Sequence, residues 1–265
     1  MQQAALIYDF DWTLAAQDVL DDFFLPSLGL EPATFWRDAT ALARDQGMDI
    51  SLAFMHLMRQ HTLQAGRPLT KEQLLAAGRQ APLFPGLPGW FERMDEFGAS
   101  LGLQLQHHVI SGGMREIIQG SPVARHMDAV YACSFLYNQA GEAIWPADAI
   151  TNSGKLRCLD RIRQGRLSLW EDEGIAGIPW QVEAVPFERM LFVGDGATDA
   201  PVMAALRANG GHSLAVHVEK ERALPLLEQG FVEDILPADY TPGSPLEQAV
   251  RERLRAFARP QGGTP

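Results

Sequence analysis

Cysteine is scarce in this chain. Its 265 residues include two, Cys133 and Cys158. Neither a disulfide framework nor a thiolate metal site is therefore expected. Cys133 falls in a strand-like segment and Cys158 in a helix-like one, which favours two buried, structural thiols.

Positive charge is also in short supply. Lysine and arginine together number 22 against 33 acidic residues, which gives a net charge of -11. Non-specific nucleic-acid binding is built from Lys and Arg, so the composition argues against a nucleic-acid partner. An acidic protein that handles an anionic substrate needs a cation at its site.

Long apolar runs are missing as well. No stretch approaches the roughly 20 residues that cross a bilayer. The start, Met1 to Ala4, lacks the basic region of a secretory signal. With 46% apolar residues the chain can still bury a sizeable core. A soluble cytoplasmic protein without a membrane partner is expected.

Short apolar runs alternate with helix-like stretches, which is the pattern of a doubly wound parallel α/β sheet of the Rossmann-like kind. The segment from Tyr131 to Pro146 also resembles a hairpin whose turn contains Gly141. The apolar runs are residues 4–8, 105–110, 129–135, 190–193 and 213–218.

An insertion interrupts this pattern. Far more residues separate Asp9 from Ser111 than the dozen or so that a crossover needs. Helical spacings and breakers in residues 16–82 predict a small helical cap, and the Pro- and Gly-rich segment 82–89 reads as the return linker. The predicted catalytic core is then 1–15 plus 83–265, with a long irregular loop at 165–186 and a frayed tail at 260–265.

Two carboxylates and a hydroxyl follow the first apolar run, as Asp9, Asp11 and Thr13. A carboxylate bound to a divalent cation stays ionised and can act as a nucleophile, whereas one away from the metal can carry a proton to a leaving group. A calcium loop fits poorly because Leu14 and Leu20 stand where it needs Gly and Glu. A pair of solvated acids is the simpler alternative.

Ser111, Gly112 and Gly113 follow the second apolar run and precede a helix-like stretch. Backbone N–H groups at such a turn could cradle an oxyanion, and Lys155 opens another helix-like stretch from which it could supply a point charge. An ordinary strand-to-helix turn and a solvated surface lysine are the alternatives.

A second acidic pair, Asp195 and Asp199, follows the apolar run 190–193. Gly194 and Gly196 permit a tight turn there, so the two acids could bracket a hard cation together with Asp9. Oxygen-only ligands without a His or Cys cluster favour Mg²⁺ over Zn²⁺.

The order of these four motifs resembles the haloacid dehalogenase superfamily, in its phosphatase branch near phosphoserine phosphatase, over residues 4 to about 218. The segment 131–155 is more similar to a poorly characterised branch. The resemblance implies that Asp9 attacks phosphorus to form an aspartyl-phosphate. It also implies that Asp11 protonates the leaving oxygen, later activates water and lends its backbone carbonyl to Mg²⁺.

The same resemblance implies roles for the remaining motif residues. Thr13, Ser111 and Gly112 would bind the phosphoryl oxygens, and Lys155 would neutralise charge on nucleophile and phosphate. Asp195 would ligate Mg²⁺ directly, while Asp199 would support the waters of the metal or Lys155. A carboxylate at position 11 favours a phosphatase over a dehalogenase, since only phosphate-ester cleavage benefits from a proton donor.

The expected function is Mg²⁺-dependent hydrolysis of a small phosphorylated metabolite, with cap closure excluding water. A phosphotransferase or phosphomutase, or a phosphoacceptor signalling module, remains open. Phosphoserine is one candidate substrate. Phosphoserine phosphatases resemble one another in a cap glutamate and a cap arginine that hold the amino acid. The spacing does not identify equivalents of these two residues among Asp18 to Asp22, Arg37, Arg44 and Arg59. Spacing does not identify the cap residues that set specificity, or the oligomeric state.

Overall fold

Seven strands form one sheet in the computed structural model, which describes residues 1–170 and 184–259. The spatial order is β4-β3-β2-β1-β5-β6-β7, and every neighbouring pair is parallel except β3 and β4. The strands are β1 (Gln2–Tyr8), β2 (Leu103–Met114), β3 (Ala129–Tyr137), β4 (Ala143–Asp148), β5 (Met190–Gly194), β6 (His212–His217) and β7 (Ile235–Pro237).

Helices connect and cover the strands, so the predicted α/β fold is confirmed. Single turns of 3₁₀ helix occur at Ala124–His126, Phe187–Arg189 and Ala197–Asp199, and a π-helical turn at Leu20–Phe24. The α-helices are α1 (Leu25–Ser27), α2 (Pro32–Gln46), α3 (Ile50–Gln64), α4 (Lys71–Arg79), α5 (Gly89–Ser100), α6 (Arg115–Gly120), α7 (Lys155–Gln164), α8 (Ala200–Ala208), α9 (Lys220–Glu228) and α10 (Pro245–Phe257).

The first strand lies at the centre of the sheet, between β2 and β5. Its residues Ala4 to Tyr8 are almost completely buried, as an uninterrupted apolar run predicts for a strand covered on both faces. The chain order reverses on either side of β1, since β2 and β3 lie to one side and β5 and β6 to the other. Open α/β sheets bind ligands at such a reversal, beyond the carboxyl ends of the strands.

The insertion between β1 and α5 is helical, with α2, α3 and α4 as its longest elements. It leaves and rejoins the rest of the chain at one place, where the Ala16 amide donates to the Pro82 carbonyl at 2.8 Å and the Phe84 amide to the Leu14 carbonyl at 3.1 Å. A glycine contact holds α4 against α6, because a Cβ at Gly78 would overlap the carbonyl of Ile117.

The predicted hairpin is confirmed as β3 and β4, and Gly141 takes the left-handed φ of 78° in its turn. The hairpin also contacts the insertion, where the Lys71 amide donates to the Gly141 carbonyl at 2.9 Å. Both cysteines are buried and free, as expected.

Helix α7 is capped at its end by Gly165, which has a φ of 68°. Residues 171–183 of the predicted loop 165–186, and the predicted tail 260–265, lie outside the described residues. Strand β7 was not predicted, because three residues are too short for a periodicity signal. Among the described residues, no helix is both long and apolar enough to cross a membrane.

Candidate active site

The Asp9 carboxylate lies just beyond the end of β1 and is 7% exposed. Its backbone amide donates to the Val193 carbonyl of β5 at 2.9 Å, which ties the turn to the neighbouring strand. Oδ1 accepts from the Phe10 amide at 2.8 Å, and Oδ2 lies 3.0 Å from Lys155 Nζ. One oxygen is thus held by the backbone and the other by a cation.

Lys155 is the first residue of α7, and it is buried rather than solvated, with 1% exposure. Its ammonium lies between Asp9 Oδ2 at 3.0 Å and Asp199 Oδ1 at 2.6 Å. Burial alone would lower the pKa of this lysine, but the two carboxylates raise it above its ordinary value. The side chain therefore carries a fixed positive charge inside the protein.

Asp195 and Asp199 follow β5, and Asp199 lies in the 3₁₀ turn Ala197–Asp199. Asp199 is fully buried, and its Oδ2 has no hydrogen-bond partner within the described part of the chain. A Cβ at Gly194 would overlap that oxygen, so glycine is needed for its close approach. Burial and the neighbouring Asp9 carboxylate raise the pKa of Asp195 to about 7 and that of Asp199 well above its usual range.

Asp9, Asp195 and Asp199 each offer an oxygen within 4.8 Å of the others. Such crowding of carboxylates leaves negative charge that Lys155 alone does not balance. An oxygen-only set with one unpartnered buried oxygen fits a hard divalent cation such as Mg²⁺. The Asp11 carboxylate is not part of this group.

Asp11 is held differently from Asp9, although only one residue separates them. Its Oδ1 accepts from the Val19 amide at 3.0 Å. Burial, the Asp18 carboxylate and, more weakly, Asp9 raise the pKa of Asp11 well above its usual range. A protonated carboxyl group is therefore favoured at this position, which is what a proton donor requires.

The intervening Trp12 has a φ of 56°, the only positive φ among the described residues other than glycine. A bulky side chain rarely takes this conformation, which is typical of functional turns. The Trp12 ring lies at the cavity wall with the Arg222 guanidinium 5.9 Å from its centre.

Thr13 is completely buried, and its Oγ1 lacks a hydrogen-bond partner among the described residues. Its carbonyl accepts from the Tyr240 hydroxyl at 2.8 Å, which fixes the backbone at the end of the turn. A buried hydroxyl without a partner costs free energy unless a ligand or water satisfies it.

Ser111 and Gly112 lie inside β2, which continues to Met114 through a shift in its register with β3. The prediction that the strand ends before Ser111 is therefore corrected, because the backbone remains extended past the irregularity. Ser111 Oγ accepts from the Gly113 amide at 3.0 Å. A Cβ at Gly113 would lie 3.2 Å from Asp11 Oδ2 and 3.3 Å from Ser111 Oγ. The Asp11 and Ser111 side chains therefore both pack against Gly113.

A cavity of about 1010 Å³ opens above these residues. The core contributes Asp9, Asp11, Ser111, Gly112, Lys155 and Asp195 to its lining. The insertion contributes other residues that sequence reasoning did not assign to a site, among them Asp18, Asp21, Trp36 and Phe54. Arg222 was also missed, although its place just after β6 puts it near the same edge of the sheet.

The chain is distantly similar to known proteins in sequence and more clearly similar in fold. No protein-family model matches the chain. It is 24% identical to an uncharacterized protein of Borreliella burgdorferi over 281 residues, which cover 94% of this chain and 96% of that protein.

Two solved structures illustrate the likeness in fold. A HAD-family hydrolase from Salmonella enterica serovar Typhi superposes with a TM-score of 0.59 and 16% identity over 89% of this chain and 67% of that one. A phosphoserine phosphatase structure, determined as an analogue of the phospho-aspartyl intermediate, gives a TM-score of 0.57 and 16% identity over 95% and 99%. The chain therefore has the fold of haloacid dehalogenase superfamily hydrolases and of phosphoserine phosphatase, as its motifs predict.

Proposed function

We propose that the protein is a Mg²⁺-dependent phosphomonoester hydrolase that acts on a small phosphorylated metabolite through an aspartyl-phosphate. The observation that carries the proposal is the different setting of the two carboxylates at the end of β1. Asp9 is paired with Lys155, whereas Asp11 accepts a backbone N–H and lies beside Ser111 and Gly113. One is suited to attack phosphorus and the other to exchange a proton.

In the first step an oxygen of Asp9 forms a bond to phosphorus while the bond from phosphorus to the ester oxygen breaks. The leaving oxygen takes the proton of Asp11 and departs as an alcohol. In the second step Asp11 removes a proton from water, whose oxygen attacks phosphorus and releases phosphate and free Asp9. The two steps restore both carboxyl groups to their starting states.

The surrounding hydrogen-bond donors would position the phosphoryl group. The hydroxyls of Thr13 and Ser111, the Gly112 backbone and the Lys155 ammonium would bind its oxygens. Such fixed donors supply most of the rate enhancement in phosphoryl transfer. The buried Thr13 Oγ1, which has no partner among the described residues, supports this proposed role.

Asp9, Asp195 and Asp199, with the Asp11 backbone carbonyl, would hold Mg²⁺. When bound, the ion supplies positive charge that neutralises the carboxylates and the phosphoryl oxygens. Among the protein groups, Asp199 also orients Lys155, since its Oδ1 lies 2.6 Å from Nζ.

We further propose that residues 16–82 act as a cap over a core formed by 1–15 and 83–265. The insertion supplies one wall of the 1010 Å³ cavity, and its two connections lie side by side. The cavity also favours an enzyme over a phosphoacceptor signalling module, because a module that transfers phosphate to its own aspartate has no need of room for a substrate. The phospho-aspartyl analogue of the similar phosphoserine phosphatase supports the same chemistry.

Phosphate release from a panel of phosphomonoesters, including an activated aryl phosphate, tests the proposal. We expect turnover with Mg²⁺ and loss of at least about 99% of it with chelator, because the acidic cluster is left unneutralised. Turnover should return when Mg²⁺ is added back. Turnover that persists in chelator, or folded Mg²⁺-bound protein without turnover on any ester, would contradict the proposal.

Replacement of Asp11 by asparagine should separate the two steps. Asparagine cannot donate an acidic proton, so alkyl phosphates should lose about 10²- to 10⁴-fold in rate. An activated aryl phosphate leaves without that proton, so Asp9 should still be phosphorylated by it, while the later activation of water fails. We therefore expect accumulated aspartyl-phosphate in rapid-quench samples of Asp11→Asn.

The control for Asp11→Asn is Asp38→Asn, which changes an exposed carboxylate paired with Arg37. This variant should behave like the native enzyme. Equal losses for aryl and alkyl phosphates in Asp11→Asn, without accumulated intermediate, would show that Asp11 does not transfer the proton.

A further inference from the structure

The wall of the cavity that the insertion provides is acidic and aromatic. Asp18, Asp21 and Asp22 line it, together with the rings of Trp36 and Phe54. The Trp36 indole N–H donates to Asp21 Oδ1 at 2.6 Å, and its ring meets that of Phe54 at a centroid distance of 5.3 Å. The carboxylate and the two rings thus form one fixed unit.

The arginines of the insertion that were considered for substrate binding do not line this wall. Arg37 and Arg44 are exposed and paired with Asp38 and Asp45, and the Arg59 guanidinium donates to the Ala143 carbonyl at 3.0 Å. No described cationic side chain of the insertion lines the cavity. The three carboxylates of the wall therefore share it with no described cation of the insertion.

The pKa values of these carboxylates reflect the lack of a neighbouring described cation of the insertion. Burial, Asp21 and Asp22 raise the pKa of Asp18 to about 6, and burial raises that of Asp21. Negative charge held partly out of water without a cation is unfavourable, and it is stabilised when a cation binds.

The core part of the cavity lining carries positive charge. Its two described cations are Lys155 and Arg222. The Arg222 guanidinium lies over Trp12, the residue after Asp11, and its charge partly opposes the rise in the Asp195 pKa, so it belongs with the phosphoryl-binding residues. The cavity thus offers cations to the phosphate and carboxylates to the group that the phosphate esterifies.

From this polarity we infer that the substrate is a phosphomonoester whose alcohol carries an ammonium group and no carboxylate. The inference rests on the proposed hydrolase function. The ammonium binds among Asp18, Asp21 and Asp22 and against the Trp36 ring, where carboxylates and an aromatic face both attract a cation. A carboxylate on the same alcohol meets no described cation of the insertion, and the acidic wall repels it.

Matched esters test this inference. The ratio of kcat/KM for 2-aminoethyl phosphate to that for 2-hydroxyethyl phosphate compares an ammonium with a neutral group of similar size. We expect a ratio of at least about 10 for the native enzyme, which corresponds to about 1.4 kcal/mol. O-phosphoserine, which adds a carboxylate to the ammonium ester, should have a lower kcat/KM than 2-aminoethyl phosphate.

The variant Asp21→Asn keeps an oxygen that can accept from Trp36 but removes the charge. Its ratio should fall by about fivefold or more through a higher KM for the ammonium ester. Asp18→Asn serves as a second variant should the first fail to fold. The control Asp38→Asn, an exposed carboxylate of the same insertion, should keep the native ratio.

Failure of the substrate inference can be told from failure of the hydrolase function. A native ratio near 1, or a better rate with O-phosphoserine, while an aryl phosphate is turned over, would overturn the inference alone. Binding of the two esters to Asp9→Asn, measured by calorimetry with Mg²⁺, gives the same comparison without turnover. Tighter binding of the ammonium ester would support the substrate inference even if no ester were turned over. Equal binding of the two esters would overturn it.

Discussion

Asp9→Asn is expected to reduce the rate of phosphate release by at least about 10³-fold on every ester, equivalent to about 4 kcal/mol of transition-state stabilisation. The amide nitrogen and oxygen that replace the carboxylate cannot form the acyl phosphate, so no covalent intermediate should be detected. The native protein, quenched during turnover and treated with hydroxylamine, should give a hydroxamate at Asp9. Steady-state rates and peptide mapping of the quenched protein measure both effects.

The loss should be chemical rather than structural. Asparagine keeps an Oδ1 that can accept from the Phe10 amide, and Lys155 keeps Asp199 as its partner. We expect Asp9→Asn to unfold in urea near the native midpoint. Asp38→Asn provides the matched control on an exposed carboxylate, with native rates and stability. A hydroxamate at another residue, or substantial turnover by Asp9→Asn, would show that Asp9 is not the nucleophile.

Much of the fold can be predicted from the apolar runs and turn residues of the sequence. Each of the five predicted apolar runs overlaps a strand, because buried parallel strands are continuously apolar and end in turn residues. The motifs converge because parallel strands bring their carboxyl ends to one edge. Carboxylate oxygens of Asp9 and Asp195 therefore lie within 4.8 Å of each other, although the whole insertion and much of the core separate the two residues along the chain.

Other features depend on tertiary contacts that spacing does not encode. The burial of Lys155 arises from the pairing of α7 with Asp9 and Asp199, whereas an isolated lysine reads as a surface residue. The positive φ of Trp12 contradicts local preference and persists because the turn is tied down on both sides.

The sequence names Asp18 to Asp22 as candidates for substrate binding, but it does not show which of them line the cavity, for the same reason. Asp18 and Asp21 precede any recognisable helix signal, and Trp36 reads as one more aromatic residue at helical spacing. Only the folded insertion places them in the same cavity as Asp9. The proposed substrate-binding residues are therefore harder to predict from the sequence than the proposed catalytic ones, because they come from separate elements of the insertion and follow no strand-end motif.

The second large effect is expected on replacement of the buried Lys155. Lys155→Met fills similar space without the charge, and it leaves Asp9 and Asp199 facing one another with no protein cation between them. Removing one partner of a buried ion pair costs about 3–5 kcal/mol of unfolding free energy. Turnover should fall by at least about 10³-fold as well, because the fixed positive charge that receives the phosphate is lost.

The stability loss should depend on pH in a definite direction. In the folded variant the pKa of Asp199 rises further, so the folded state binds protons more readily than the unfolded one. The stability deficit relative to the native protein is then largest at about pH 8 and shrinks towards about pH 5 as the Asp199 carboxyl is protonated. Urea unfolding of both proteins in chelator measures the deficit. Lys71→Met, at an exposed lysine that begins α4, should change stability by less than about 0.5 kcal/mol. A deficit that stays constant between these pH values would mean that lost packing, rather than unbalanced buried charge, destabilises the variant.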